Sequence, residues 1–292
     1  MPEPSYRKLI AGYDGSDHAA DGLALAELLC EVTGADLLVT AVVPREFPYV
    51  PGTPQREQEL RARARDVLVD AVAESERVTT RVVAARAAAH GLHDLAESEE
   101  ADAIVVGSSR HGPIGRVLAG SVASRLLHGA PCPVAVAPAG YRERERSGLA
   151  VVACAFDGSD EARLAAQHAE HLARRAGAAL RLLAVREPEL IFGIDQVPGA
   201  YDSAELAKAE RKRLTQELED AASRVGPGVE VQHELLEGSA VEALSAAAAD
   251  GVDLLVVGSR AYGPVRRVLL GGVSSGLVRS SPAAVLAVPR GD

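Results

Sequence analysis

Two aspartates stand where an apolar run gives way to a helical pattern. Asp14 lies in Tyr13-Asp14-Gly15-Ser16-Asp17, and Asp157 in Phe156-Asp157-Gly158-Ser159-Asp160. A carboxylate at a strand end is expected in the crevice where open α/β sheets hold their ligands. Turn and capping chemistry is the alternative, because glycine supplies the bend and Ser or Asp accept from the first helix amides. That alternative weighs most for Asp17 and Asp160, which lie nearest the helix start. A second candidate is the run from Gly107 to Gly120-Ser121, matched by the run from Gly258 to Gly271-Gly272. Small residues at both ends let backbone amides approach an anion, and the helix beginning near Ser121 adds its positive end. The plainer alternative is that Gly107 and Gly112 only shape a loop.

Other patterns fall away on inspection. Gly107 and Gly112, like Gly258 and Gly263, match the opening of a phosphate-binding P-loop, but Pro113 and Pro264 occupy the lysine position. Gly272-Val273-Ser274-Ser275-Gly276 matches a nucleophile elbow, yet it does not directly follow a strand, and its counterpart ends in Arg125. His90/His93 and His168/His171 are i,i+3 pairs without a third ligand, which reads as solvated helix surface rather than a metal site. Cys30, Cys132 and Cys154 are scattered and odd in number, which suits buried thiols acting as small hydrophobes. No catalytic residue and no metal-ligand set is expected.

The candidates occur twice because the chain is two copies of one unit. Asp14 recurs as Asp157, 143 positions on, and Gly34 as Gly177 at the same spacing. Val105-Val106-Gly107-Ser108 recurs as Val256-Val257-Gly258-Ser259, now 151 positions on, and Pro131 and Pro138 recur as Pro282 and Pro289. The second copy therefore holds eight extra residues, expected between 185 and 229. The mixed-charge run 141–148 reads as a seam. The boundaries expected are a first domain over 1–141, a linker over 142–148 and a second domain over 149–292.

Each copy alternates short β-branched runs with helical stretches. Strands are expected at 9–13, 37–43, 78–84, 103–106 and 134–137, and helices at 17–33, 54–76, 92–99 and 121–128. The second copy repeats the strands at 150–156, 179–185, 229–236, 253–257 and 284–288. Near-continuous apolar strands suit a parallel sheet covered on both faces, wound with right-handed crossovers. The two halves are expected to pack about a pseudo-two-fold axis through the strands at 134–137 and 284–288, since such exposed edges would otherwise invite association.

Composition narrows the function classes. With 292 residues, 47% hydrophobic and 25% charged, each half can bury a full core. A net charge of −10 disfavours a nucleic-acid binder, whose footprint is basic. No apolar run approaches the ~20 residues that span a bilayer, and the opening MPEPSYRK has no signal-peptide core, so a cytoplasmic location is expected. Only Lys8, Lys208 and Lys212 among the 31 basic residues are lysine, which looks like the codon bias of a GC-rich bacterial genome and not a functional signature.

The strand-end xDGS, the Val-Val-Gly-Ser turn, the loop closing on Gly-Ser-Val and the strand after Ala130-Pro131-Cys132-Pro133-Val134 together resemble the universal stress protein family. The resemblance covers nearly the whole chain twice, and most closely the tandem type found in actinobacteria. It implies α/β architecture with two flavodoxin-like domains, each a doubly wound five-stranded parallel sheet. It also implies ATP, with Mg2+ as companion, at the strand ends. By position, Asp14 would face the ribose and the metal–phosphate side, the Val42 backbone would read adenine, Gly107 would line the sugar, and Gly120 with Ser121 would hold phosphates. In the second half the matching positions are Asp157, Val185, Gly258, Gly271 and Gly272. The family's phosphate pattern is incomplete here, because its middle glycine is Arg110 in one half and Ala261 in the other, and its closing Ser is replaced by Gly272.

The expected function is a non-catalytic regulatory protein that binds adenine nucleotide, as a homodimer or a pseudo-symmetric monomer, with no nucleic-acid or membrane partner. A nucleotide-free stress scaffold acting through protein contacts is the alternative, and a slow ATP hydrolase ranks third. Ser121 as hydroxyl donor and Arg110 as cationic contact lead to the expectation that the first half binds more tightly.

Overall fold

The computed structural model describes residues 4–45, 53–73, 75–108, 121–144, 148–187, 203–259 and 271–289. The first half contains β1 (Lys8–Gly12), α1 (Asp17–Thr33), β2 (Asp36–Pro44), α2 (Thr53–Ala71), β3 (Val78–Ala85), α3 (Ala88–Ser98), β4 (Ala103–Gly107), α4 (Ser121–Leu126) and β5 (Val134–Ala137). The second repeats the order as β6 (Val151–Ala155), α5 (Asp160–Ala176), β7 (Ala179–Arg186), α6 (Ser203–Ser223), β8 (Val231–Glu237), α7 (Ala240–Ala249), β9 (Leu254–Gly258), α8 (Gly272–Ser280) and β10 (Ala284–Val288). The longer β7–α6 connection, 187–202 against 45–52 in the first half, lies within the interval expected to hold the extra residues.

The ten strands among the described residues form one sheet in the order β3-β2-β1-β4-β5-β10-β9-β6-β7-β8. Every pairing inside a half is parallel, so each half is a doubly wound, flavodoxin-like five-stranded unit in the order 3-2-1-4-5. Strand order reverses between β1 and β4 and again between β6 and β9. Those two reversals are the switch points where a ligand is expected.

The halves meet as the apolar edge strands require. β5 and β10 pair antiparallel, with Val134 opposite Ala287, Ala135 opposite Leu286 and Val136 opposite Val285. None of these six side chains is more than 1% exposed. Each Val or Leu so buried contributes roughly 1.5–3 kcal/mol, and neither strand is left as an open edge. Two apolar layers cover the sheet. One joins α1, α2, α5 and α6 through Leu25, Leu68, Leu172 and Leu218, and the other joins α3, α4, α7 and α8 through Leu92, Leu126, Leu244 and Leu277. Cys132 and Cys154 are buried, and burial raises the thiols of Cys30 and Cys132 to about 12. They serve as small apolar groups.

The chain leaving β5 is anchored to α1. Asp21 is 3% exposed, and its carboxylate accepts from the Gly140 and Arg142 amides at 2.8 and 3.0 Å. Arg142 also pairs with Asp17 at 2.5 Å. At the opposite end of the sheet, Asp102 accepts from the Arg7 and Lys8 amides, and Asp253 repeats this with Ala150 and Val151. These repeated aspartates start β1 and β6 in register beside β4 and β9.

His168 is a correction to the expected solvated pair. It lies on α5, and its Nδ1 is 2.7 Å from the hydroxyl of Tyr6, which comes from the first half. The two rings meet edge to face at 5.7 Å. Burial, reinforced by nearby His171, lowers the His168 pKa to about 4. An unfolded histidine titrates near 6.5, so the native state resists protonation. Stability is full above that value and falls as pH drops from 6.5 towards 4, by up to about 3 kcal/mol. Urea denaturation at pH 7 and pH 4.5 is expected to show this loss in the parent chain and a smaller one in His168→Gln; equal losses would remove His168 as the cause.

Candidate functional site

Each half opens a cleft at its switch point. Gly15 and Gly158 adopt left-handed φ of 83° and 80°, which turns the chain sharply after β1 and β6. Ser16 and Ser159 then cap the helices, their hydroxyls accepting from the Ala19 and Ala162 amides at 3.2 and 3.1 Å. The caps are therefore serines. Asp17 and Asp160 instead pair with Arg142 and Arg163. Asp14 Oδ1 accepts from the Ser16 amide at 3.0 Å, and Asp157 Oδ1 accepts from the Ser159 amide at 3.0 Å and its hydroxyl at 2.5 Å. Both strand-end aspartates are solvent-exposed and both border their cleft.

The two clefts differ in size. The second encloses about 560 Å³ between Asp157, Val185, Ala240, Gly258 and Ser274, whereas the first encloses about 100 Å³ between Asp14, Val42, Ala88, Gly107 and Val122. Small-molecule sites usually run to about 300–1,000 Å³. Only the second falls in that range. Val42 and Val185 occupy matching register positions, opposite Val83 and Leu236 on the neighbouring strands.

One pair of small residues accompanies this difference. A Cβ built on Gly22 would lie 2.5 Å from the Gly107 amide, and one on Gly107 would lie 1.6 Å from the His18 carbonyl oxygen. Helix α1 thus sits backbone against backbone on the end of β4. At the position matching Gly22, α5 carries Ala165, fully buried, and a Cβ on Gly258 would lie 2.8 Å from the Glu161 carbonyl. The approach of α5 to Gly258 is looser than that of α1 to Gly107, and the wider cleft is the one whose helix carries alanine at this position. The glycines at 107 and 258 are required first for this close approach of helix to strand.

The helix ends around the second cleft are not alike. Glu187 Oε1 accepts from the Ala240 amide at 2.7 Å, so a carboxylate already occupies the start of α7. Helix α8 begins after Gly271, a residue with no side chain to cap it, and none of the described side chains accepts from its first amides. Its uncapped positive end faces no protein acceptor among the described residues, and such an end attracts anions. Ser274 on α8 donates to the Gly258 carbonyl at 2.8 Å, which fixes that helix against the end of β9.

Of the residues singled out in the sequence, Asp157, Val185 and Gly258 line one cleft, with Gly271 and Gly272 at the helix start beside it. Asp14, Val42 and Gly107 line the other. Arg110 and Gly120 lie outside the described residues. Ser121 begins α4, but its side chain lies outside them too. Sequence reading passed over Ser259, Thr40 and His18, whose buried Oγ, Oγ1 and Nδ1 have no hydrogen-bond partner among the described residues. Thr40 was hidden inside the apolar run of β2, and Ser259 was read only as part of the repeated Val-Val-Gly-Ser turn; a polar residue directly after a buried strand was the available signal for Ser259. Among the described residues no group of three His, Cys, Asp or Glu could hold a metal, and no helix is long and apolar enough to cross a membrane.

A sequence profile of the universal stress protein family matches residues 5–138 and 150–289. A universal stress protein of Mycobacterium tuberculosis is 28% identical over 295 residues, covering 96% of this chain and 99% of its own. One from Mycolicibacterium smegmatis is 30% identical over 227 residues, covering 77% and 74%. Among solved structures, a universal stress protein from Archaeoglobus fulgidus aligns with a TM-score of 0.67 at 19% identity, over 97% of this chain and 98% of that one. Twice along its length, in sequence and in fold, the chain belongs to the universal stress protein family.

Proposed function

We propose that the second half binds an adenine nucleotide, ATP with Mg2+, as a regulatory ligand that is not turned over. The observation that carries this reading is the 560 Å³ cleft at the β6/β9 switch point, bordered by the uncapped start of α8. Its volume suits a nucleotide, and the free helix amides suit phosphates. Glu187 already caps α7, so the phosphates belong at α8 and the base at the Val185 end. The Asp157 carboxylate faces the ribose and the metal–phosphate side. Mg2+ typically binds through one or two carboxylates plus substrate phosphates, a role one aspartate can fill. Bound ATP supplies the regulatory signal, while the chain's own residues orient it and exclude water from the base.

In the first half the site is the set Asp14, Val42, Gly107, Arg110, Gly120 and Ser121. The 100 Å³ cleft supports the nucleotide-free scaffold reading for that half. This reverses the order of affinities that Ser121 and Arg110 suggest. We further read 1–141 and 149–292 as the two domains, and the β5–β10 pairing as a pseudo-symmetric pair completed within one chain. The acidic charge argues against a nucleic-acid partner, and we read the protein as cytoplasmic with no membrane partner.

Phosphoryl transfer to water needs a positioned base or water and a cationic clamp, and the Walker lysine is replaced by proline in both halves. Heating the purified protein is expected to release ATP detectable by mass spectrometry, and stoichiometric ATP is expected to stay intact over many minutes. Release of no nucleotide together with no heat of binding would overturn the reading. Multiple-turnover ADP formation that disappears in Asp157→Ala would replace it with hydrolysis.

A further inference from the structure

We propose that the Ser259 hydroxyl is the side-chain donor that reads the phosphate nearest the sugar, which makes the second cleft selective for nucleotides over nucleosides; this rests on the nucleotide reading above. Three serines line that cleft. Ser159 spends its hydroxyl on Asp157 and on the α5 cap, at 2.5 and 3.1 Å. Ser274 spends its own on the Gly258 carbonyl at 2.8 Å.

Ser259 is different. It is 1% exposed, and its Oγ is buried without a hydrogen-bond partner among the described residues. Its backbone is fixed, the amide donating to the Val288 carbonyl at 2.9 Å. Burying an unpaired hydroxyl costs stability, so its retention at a cleft wall calls for a partner that arrives from outside the protein. Ser259 directly follows Gly258, whose carbonyl is tied to Ser274 in the first turn of α8. A small rotation about χ1 is all that a serine needs to offer its hydrogen to an anion seated at that helix start. Hydrogen bonds to charged groups are the strong ones, and a donor here would add directly to the helix amides.

The first half shares only part of this arrangement: its matching serine, Ser108, is 2% exposed and its amide donates to the Ala137 carbonyl at 2.9 Å. The residue matching Ser274 is Ala123, which has no hydroxyl to tie α4 to the end of β4. Its unpaired hydroxyl is instead on Thr40, in β2, where the second half has Leu183.

The test is calorimetric titration of the full chain and of Ser259→Ala with ATP, AMP and adenosine, alongside thermal unfolding without ligand. Ser259→Ala should weaken ATP and AMP by roughly tenfold to a hundredfold while changing adenosine by less than about twofold. Its ligand-free Tm should hold or rise, because a buried unpaired hydroxyl has been removed. A lowered Tm with unchanged affinity would show a structural hydroxyl and overturn the proposal. Equal weakening of adenosine would overturn the phosphate assignment. A parent chain that binds none of the three would overturn the nucleotide reading and this proposal with it. Parent binding that Ser259→Ala leaves intact would overturn this proposal alone.

Discussion

Gly107→Ala is expected to destabilise the protein by more than about 3 kcal/mol, and Gly22→Ala by a similar amount. The new methyl at 107 would lie 1.6 Å from the His18 carbonyl oxygen, well inside van der Waals contact, and the obstacle is backbone rather than a side chain that can rotate away. The methyl at 22 would meet the Gly107 amide at 2.5 Å. Overpacking in a close-packed core costs 1–3 kcal/mol, and more when the backbone itself must shift. Gly258→Ala meets its neighbour at 2.8 Å and should cost less. Gly272→Ala serves as the control, since nothing lies within 4 Å of its would-be methyl, and it should stay within about 0.5 kcal/mol of the parent. Urea denaturation midpoints on the four variants check the ranking. A Gly107→Ala midpoint like that of Gly272→Ala would mean that α1 does not sit on β4 as described.

The order of those four variants is not visible in the sequence, and the reason is physical. Gly107 and Gly258 look alike as the first glycines of two similar loops. Their difference comes from Gly22 and Ala165, far away in the chain and unremarkable in a helix rich in alanine. The sheet was far easier to read. β5 and β10 are four- and five-residue apolar runs that only burial on both faces explains, and their antiparallel pairing follows from duplication plus the need to close an edge. Strand limits agree with the apolar runs to within about two residues, because β-branched residues and turn signals coincide there. The helix expected over 54–76 ends earlier, at Ala71, and that expected over 92–99 begins earlier, at Ala88. Alanine-rich and charged stretches carry little periodicity to mark an end. His168 was misread because its partner, Tyr6, is 162 residues away and no local pattern records it.

The clefts invite a paired experiment that sets volume against loop chemistry. Asp157→Ala in the full chain is expected to lower ATP affinity by roughly ten- to a hundredfold, the worth of one interaction with a charged group. Asp14→Ala is expected to leave it within about twofold. Each substitution removes the carboxylate that accepts from a turn amide, Ser159 in one half and Ser16 in the other, and Asp157→Ala also frees the Ser159 hydroxyl, so ligand-free melts of both variants are run beside the titrations to separate turn damage from lost ligand contact. What differs is the space beside the carboxylate, about 560 Å³ against about 100 Å³. Titration calorimetry with ATP and Mg2+ should therefore show one strong site in the parent and in Asp14→Ala, and its loss in Asp157→Ala. If Asp14→Ala caused the greater loss, Ser121 and Arg110 would outweigh cavity volume, and the first half would be the working site. Equal losses would mean that α1 moves away from β4 when ligand arrives. In that case Gly22 would mark a closed state of the first cleft, and the difference between the halves would lie in how readily each opens.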